Sequence, residues 1–446
     1  MRNSKTFALY SFYLLVLLTF IHLYLGFVLN LSVDEAHYAL YGIHLDWSYF
    51  DHPPMVGWIQ AIPAQLGAPD GILRLIPEVL WVMTIIFSAK VSSTLVDQSS
   101  YVHENPNLDI QELKKIAQWF TALIIMAAPI MHVLAVGLLP DSLLMPLIPL
   151  MMLLTLKINR AINNNQSNEV ALWMSLGVIL GLSGLSKYTG IFPALAIPLY
   201  LFYWQGLWLS LLIAAILISP IIYWNLQHEW ISFIYQIKHG SGNQWQARRL
   251  FVFILNQFLT YGALPAVGLW LIIKNKFRFD KFLLAFFIIP FFIFLLMSGG
   301  GGSLPHWTSP TWVALAPISS IGLALSWING RKKLIKALIS FQLLICALGF
   351  TLLFCGGIPW VTKDDPIGKK NPIADLYGFK EAGEKAINLA NKHEISSLSV
   401  SNWTLASRTA WYSRPLKVYV LDERFDQFDI WFGQPKVGSK SIVINW

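Results

Sequence analysis

The chain has 446 residues, 55% of them hydrophobic and 13% charged, with a mean hydropathy of +0.55. A soluble domain has no interior large enough to hide that much apolar surface, whereas a bilayer takes it up in spans of about 20 residues. The formal net charge of +8 does not indicate nucleic acid, because the cations sit in short loops between apolar runs and form no basic face.

The first apolar run, 7–30, follows Arg2 and Lys5. It is long, lacks a small-residue cleavage site and is followed by many more runs, so it reads as an uncleaved first span. Further spans are expected at 72–96, 116–139, 141–157, 170–186, 188–204, 206–226, 250–273, 282–298, 311–328 and 336–357, about eleven in all. Placing Arg2 and Lys5 inside puts Lys114, Lys115, Lys157, Arg160, the Lys274–Lys281 cluster and the Arg331–Lys336 cluster on that same side, as the positive-inside rule requires. The outer side then receives 31–70, Asp141, Lys187, 227–249, 299–310 and, with an odd number of spans, everything from about 358. Cys346 and Cys355 share one apolar run and point in different directions on a helix, so they form neither a disulfide framework nor an obvious metal site.

Ionisable residues at membrane depth are costly, and a group of them at one face is a site candidate. In the first outer loop, Asp34 and Glu35 follow the first span directly. Adjacent carboxylates repel and partial burial raises at least one pKa, which suits a general base; a solvated, helix-capping acid is the alternative. The same loop carries Tyr38 and then Asp51-His52-Pro53-Pro54, where two prolines fix the backbone that presents an acid and an imidazole. Arg74 opens the second span, and Asp141 follows Pro140 at the start of the fourth, where it serves chemistry or an N-cap. Lys187 lies in Gly184-Leu185-Ser186-Lys187-Tyr188-Thr189-Gly190, a polar island on the side that is otherwise poor in Lys. A cation there fits a lipid phosphate at headgroup depth, or snorkels to ordinary headgroups, and Arg74 has the same two readings. Trp224, His228 and His239 in one outer loop, and His306 and Trp307 in another, combine rings with polar groups as sugar sites do, although interfacial Trp is common in membrane proteins.

From about 358 the chain changes character. A charged linker, Lys363 to Lys370, precedes helical apolar spacing over 375–392 and strand-like runs at 397–401, 416–421 and 441–445. The expected architecture is an α-helical polytopic membrane protein, residues 1–357, with a small α/β domain, 358–446, on the outer face.

Taken in order, several motifs resemble one family. They are Asp34-Glu35, Tyr49-Phe50-Asp51-His52-Pro53-Pro54, Arg74-Leu75-Ile76-Pro77, Pro140-Asp141 and Ser186-Lys187-Tyr188-Thr189. Trp224-Asn225-x-x-His228-x-Trp230-x-Ser232-Phe233, Pro305-His306-Trp307 and Gln427-Phe428-Asp429-Ile430-Trp431 continue the series. Together they resemble bacterial glycosyltransferase family 39-type proteins of the GT-C fold group, which includes protein O-mannosyltransferases and the lipid A aminoarabinose transferase. The resemblance covers nearly the whole chain. It implies a polyprenyl-phosphate sugar donor, usually undecaprenyl phosphate, and inverting transfer at the periplasmic face of the bacterial inner membrane. It implies that Asp34 is the general base, Glu35 and Asp141 the further acidic residues, and Lys187 the phosphate-binding cation. It implies a divalent metal as a candidate cofactor, with Asp51 as its ligand. His52 stands where the aminoarabinose transferase has a Lys that helps hold the carrier phosphate, so donor contacts depart from that enzyme. A glycolipid acceptor, lipid A or another lipopolysaccharide component, follows from the resemblance; a flippase of lipid-linked saccharide and a protein O-glycosyltransferase are the alternatives.

Overall fold

The structure, a computed structural model, describes residues 2–164, 169–200, 204–241, 244–301, 303–356 and 373–444. Within the described residues, eight helices are long and apolar enough to cross a membrane, or up to ten if two bent helix pairs each count as a span. The chain is a multi-pass membrane protein. The expected span at 116–139 is the pair Ile110–Met126 and Pro129–Val136, bent by 77°, and that at 250–273 is the pair Ala247–Tyr261 and Leu264–Lys274, bent by 93°. The run at 188–204 is no continuous span where it is described; it holds a short apolar helix, Tyr188–Leu199.

The breaks have local causes. Pro129 and Pro265 start the second member of each pair, and Gly262 has φ 76°, a conformation costly for other residues. Backbone groups freed by a break cannot be left bare at membrane depth. One buried side chain serves both breaks. Gln342, from the helix Lys332–Phe354, donates to the Ala127 carbonyl at 3.1 Å and accepts from the Leu264 amide at 3.1 Å.

The helices Pro140–Asn163 and Ser309–Ile328 are almost entirely buried and form the centre of the bundle, and Glu169–Ser186 packs closely on Trp204–Gln227. Gly177 and Gly181 make that last contact close, since a side chain there would collide with Ser210 and Leu217.

Beyond the bundle, three strands, β1 (Ser397–Val400), β2 (Lys417–Val420) and β3 (Ile442–Ile444), form a parallel sheet in the order β2-β1-β3. Parallel neighbours need crossover connections. The helix Trp403–Tyr412 connects β1 to β2 and was not foreseen from the sequence pattern; the expected helix at 375–392 is found as Phe379–Lys392. Its core, with Phe379, Leu398, Val400, Trp411, Val418 and Phe428, is continuous with Leu31, Ala36, Leu40 and Leu73 of the first loop. Asp70 accepts from Trp411 Nε1 at 2.9 Å and Tyr412 Oη at 2.5 Å, which fastens the two parts together. The charged linker at 363–370 and the last residue of the third strand-like run lie outside the described residues.

Candidate active site

The first outer loop folds as a helix, Val33–Ile43, opened by a capping box in which the Glu35 carboxylate accepts from the Ser32 amide at 2.9 Å. Residues three and four apart share a helix face, so Asp34, His37, Tyr38 and Tyr41 lie together. Neighbouring residues are turned by about 100°. Glu35 therefore points elsewhere than Asp34, and the structure separates the acid pair. Glu35 binds Arg74 through two bonds of 2.7 and 2.9 Å, both side chains buried. The remaining Arg74 donors reach the carbonyls of Gly26, Leu29 and Asn30, at the end of the first span. Those carbonyls have no helical partner of their own, and the guanidinium satisfies them. Glu35 and Arg74 thus line a different, mostly apolar cavity of about 320 Å³ and do not meet the other candidates.

Asp34 lines a cavity of about 170 Å³ together with Tyr38, Asp51, His52, Asp141, Lys187, His306 and Trp307. Four stretches far apart in the chain supply these walls. Asp141 is buried in the first turn of its helix, where the Ser142 hydroxyl, not Asp141, receives the Leu139 amide. Free of a capping role, Asp141 accepts two bonds from the Lys187 ammonium, at 2.7 and 2.8 Å. His306 Nε2 lies 3.7 Å from the same carboxylate, and the ammonium sits 5.3 Å from the centre of the Trp307 ring. Two of the three ammonium protons are engaged by Asp141, leaving one donor for a ligand.

On the other side, Asp51 accepts from the Tyr41 hydroxyl and faces His37 Nε2 at 3.6 Å, while His37 Nδ1 meets the Ser407 hydroxyl at 3.1 Å. Burial opposes ionisation of Asp51, but His37, His52 and the Tyr41 hydroxyl overcome it and hold the carboxyl below its ordinary range. Burial pushes His52 down to about 4, so at neutral pH it is an uncharged imidazole. The Asp34 carboxylate makes no hydrogen bond or ion pair with side chains of the described residues. Burial, with the charges of Asp51 and Glu35, raises its pKa against the opposing pull of His37 and Lys187. An unpartnered carboxylate with raised basicity can take a proton.

Further walls come from Tyr235 on the helix Ile231–Ser241 and from the C-terminal part, with Trp403, Arg424, Asp426 and Gln427. Sequence reasoning missed these and His37. His37 carried a usable signal in its three-residue spacing from Asp34; the C-terminal residues carried none beyond their nearness to the Gln427–Trp431 motif. Trp224 and His228 stack on each other at 3.9 Å and stand outside the cavity; Trp224 Nε1 donates to Asp46 at 2.8 Å and so braces the first loop. The His239 side chain lies outside the described residues. For a metal at Asp51 the residues present do not fit: its carboxylate is engaged by Tyr41 and faces His37, and among the described residues no three His, Cys, Asp or Glu side chains group as metal ligands.

No family model matches the sequence. Among solved structures, ArnT from Cupriavidus metallidurans bound to undecaprenyl phosphate superposes with a TM-score of 0.59 at 17% identity, over 94% of this chain and 87% of that one. The chain has the ArnT fold. The apo form of ArnT agrees equally, with a TM-score of 0.59 at 18% identity. The lipid A galacturonosyltransferase RgtD of Rhizobium johnstonii is 24% identical over 316 residues, 67% of this chain. The match spans 62% of RgtD, less than two thirds of its length. The many-helix architecture with a small C-terminal sheet, expected from the sequence, is thus the one shared with ArnT.

Proposed function

We propose that this chain is an inverting glycosyltransferase. It moves a single sugar from a polyprenyl phosphate, undecaprenyl phosphate in bacteria, to lipid A or another lipopolysaccharide component. It acts at the periplasmic face of the inner membrane, with residues 1–357 as the transmembrane catalytic part and 358–446 as a periplasmic domain. The observation that carries this reading is the pairing, in one cavity, of a free basic carboxylate, Asp34, with an ammonium, Lys187, held by Asp141 and still able to donate. The relatives support it: RgtD is named for galacturonosyl transfer to lipid A, and the ArnT structure holds undecaprenyl phosphate.

In this mechanism Asp34 takes the proton of the acceptor's attacking hydroxyl or phosphate. The acceptor oxygen bonds to the anomeric carbon, and the carbon–oxygen bond to the carrier breaks. The electron pair leaves with the polyprenyl phosphate, whose charge Lys187 meets directly. Neutral His52 offers a hydrogen bond at the same end, His306 stands beside Asp141 there, and Tyr38 and Trp307 flank the sugar. The leaving group is already a stable anion, so positioning and charge stabilisation are the enzyme's main contributions. Asp141 orients Lys187. Arg74 and Glu35 support the loop and touch no substrate.

The test is transfer by purified protein in liposomes, with a panel of undecaprenyl-phosphate-linked single sugars and lipid A or rough lipopolysaccharide, read by mass spectrometry. One added sugar mass is expected. Asp34→Asn should lower the rate by about 100-fold or more, the usual worth of a general base. No transfer from any monophosphate-linked sugar, with correctly folded protein, overturns the reading.

A further inference from the structure

Two residues lining the cavity each have a buried polar atom with no hydrogen-bond partner among the described residues: His52 Nδ1 and Asp426 Oδ2. Asp426 is the more telling, because it is only 4% exposed and stands in the C-terminal part. It opens the helix Gln427–Phe432, where its Oδ1 accepts from the Phe428 amide at 2.7 Å and its own amide donates to Asp429 at 2.9 Å. Capping needs one oxygen, and Asn or Ser supplies it as well as Asp. The second oxygen has no hydrogen-bond donor among the described residues, and a buried acceptor left without a donor is destabilising.

The surroundings hold that oxygen in place. The next residue, Gln427, accepts from the Phe50 amide at 2.7 Å, which ties this segment to the Tyr49–Pro54 loop. Burial pushes the Asp426 carboxyl up to about 6, with Asp429 adding to the rise and the Phe428 amide opposing it, so at neutral pH it remains mainly an anion that can only accept. Phe428, two residues further on, has its ring 6.1 Å from that of His37, so this helix start belongs to the His37 wall of the cavity. Trp403 shares that wall, its ring 5.4 Å from that of His37.

We propose that Asp426 is a specificity residue whose free Oδ2 accepts a hydrogen bond from a hydroxyl of the saccharide occupying the cavity. This rests on the glycosyltransferase reading above. The hydroxyl belongs either to the transferred sugar or to the acceptor saccharide, and kinetics separate the two.

The experiment compares wild type, Asp426→Asn and Asp429→Asn, each as full chain in liposomes, with a donor and acceptor that the wild type converts. Asp426→Asn keeps an oxygen for the Phe428 amide and places an N–H where Oδ2 stood. Asp429→Asn disturbs the same helix start away from the cavity. The expected result for Asp426→Asn is a KM raised by about ten-fold or more for one substrate, with a smaller change in kcat and an unchanged thermal midpoint. A change in the donor KM assigns the hydroxyl to the transferred sugar, and a change in the acceptor KM assigns it to the acceptor. The matching deoxy substrate should lose affinity for wild type and lose nothing further for Asp426→Asn. Unchanged KM values for both substrates, or the same changes in Asp429→Asn, overturn the inference while leaving the glycosyltransferase reading intact. A folded wild type that converts no donor removes both.

Discussion

Asp34 and Glu35 are adjacent in sequence, and their amide replacements are expected to have opposite effects. Glu35→Gln leaves the Arg74 guanidinium buried and without its counter-charge, both partners being under 10% exposed. Breaking one side of a buried ion pair costs about 3–5 kcal/mol. Arg74 keeps three backbone carbonyls and Gln keeps one acceptor, so the lower end, about 3 kcal/mol, is expected. Asp34→Asn removes a carboxylate whose raised pKa means that the folded state disfavours its charge. That variant should be as stable as wild type at neutral pH, or more so, while losing transfer. The assay is thermal unfolding in detergent followed by tryptophan fluorescence, beside the liposome transfer assay on the same preparations. Glu35→Gln should unfold at clearly lower temperature and Asp34→Asn should not. Equal midpoints, or Asp34→Asn as the less stable of the two, would refute the division of roles.

Lys187→Met leaves Asp141, 1% exposed, without its cation, and should both abolish transfer and cost about 3 kcal/mol in stability, checked by single-turnover assay and thermal unfolding. Burial opposes the Glu35 charge, but Arg74 overrides it and lowers the pKa below the ordinary 4.5. The stability this contributes is complete above the unfolded value and is lost as pH falls through the folded one, so the thermal midpoint of wild type should drop below about pH 4.5 and that of Glu35→Gln should lack this component. Asp34 has the reverse shift, so the acid limb of kcat/KM should lie above the ordinary carboxylate value of 3.8, and Asp34→Glu should move that limb. Trp307→Ala removes the ring beside the ammonium and should raise the donor KM more than it lowers kcat, measured by initial rates over a donor series.

Much of this protein was legible without coordinates. Long apolar runs with cations between them can only be satisfied in a bilayer, so the membrane class and most spans follow from composition and period. The cluster of polar residues at one face was legible for the same reason, since ionisable groups are costly at membrane depth, although an N-cap for Asp141 and a snorkelling cation for Lys187 stood as equally plain readings. The strand runs near 397, 417 and 442 were visible in their alternation and length.

What the sequence could not decide was partnership. A helix start at Asp34-Glu35 was one of the readings, but nothing there says that the two acids go to different cavities; that depends on the turn of about 100° per residue and on Arg74 arriving 39 positions later. Apolar length alone does not register a bend, so the breaks at 127–128 and 262–263 read as continuous spans, and Gln342, 215 residues from Ala127 and 81 from Tyr261, meets the backbone that those bends free. The joining of Asp426 and Trp403 to the Asp34 cavity likewise depends on packing between the first loop and the C-terminal sheet. Local patterns determine where a segment can reside, because solvation acts on each residue separately. Which charges meet is decided only when the bundle closes, because an ion pair or a shared cavity is a property of distance in space.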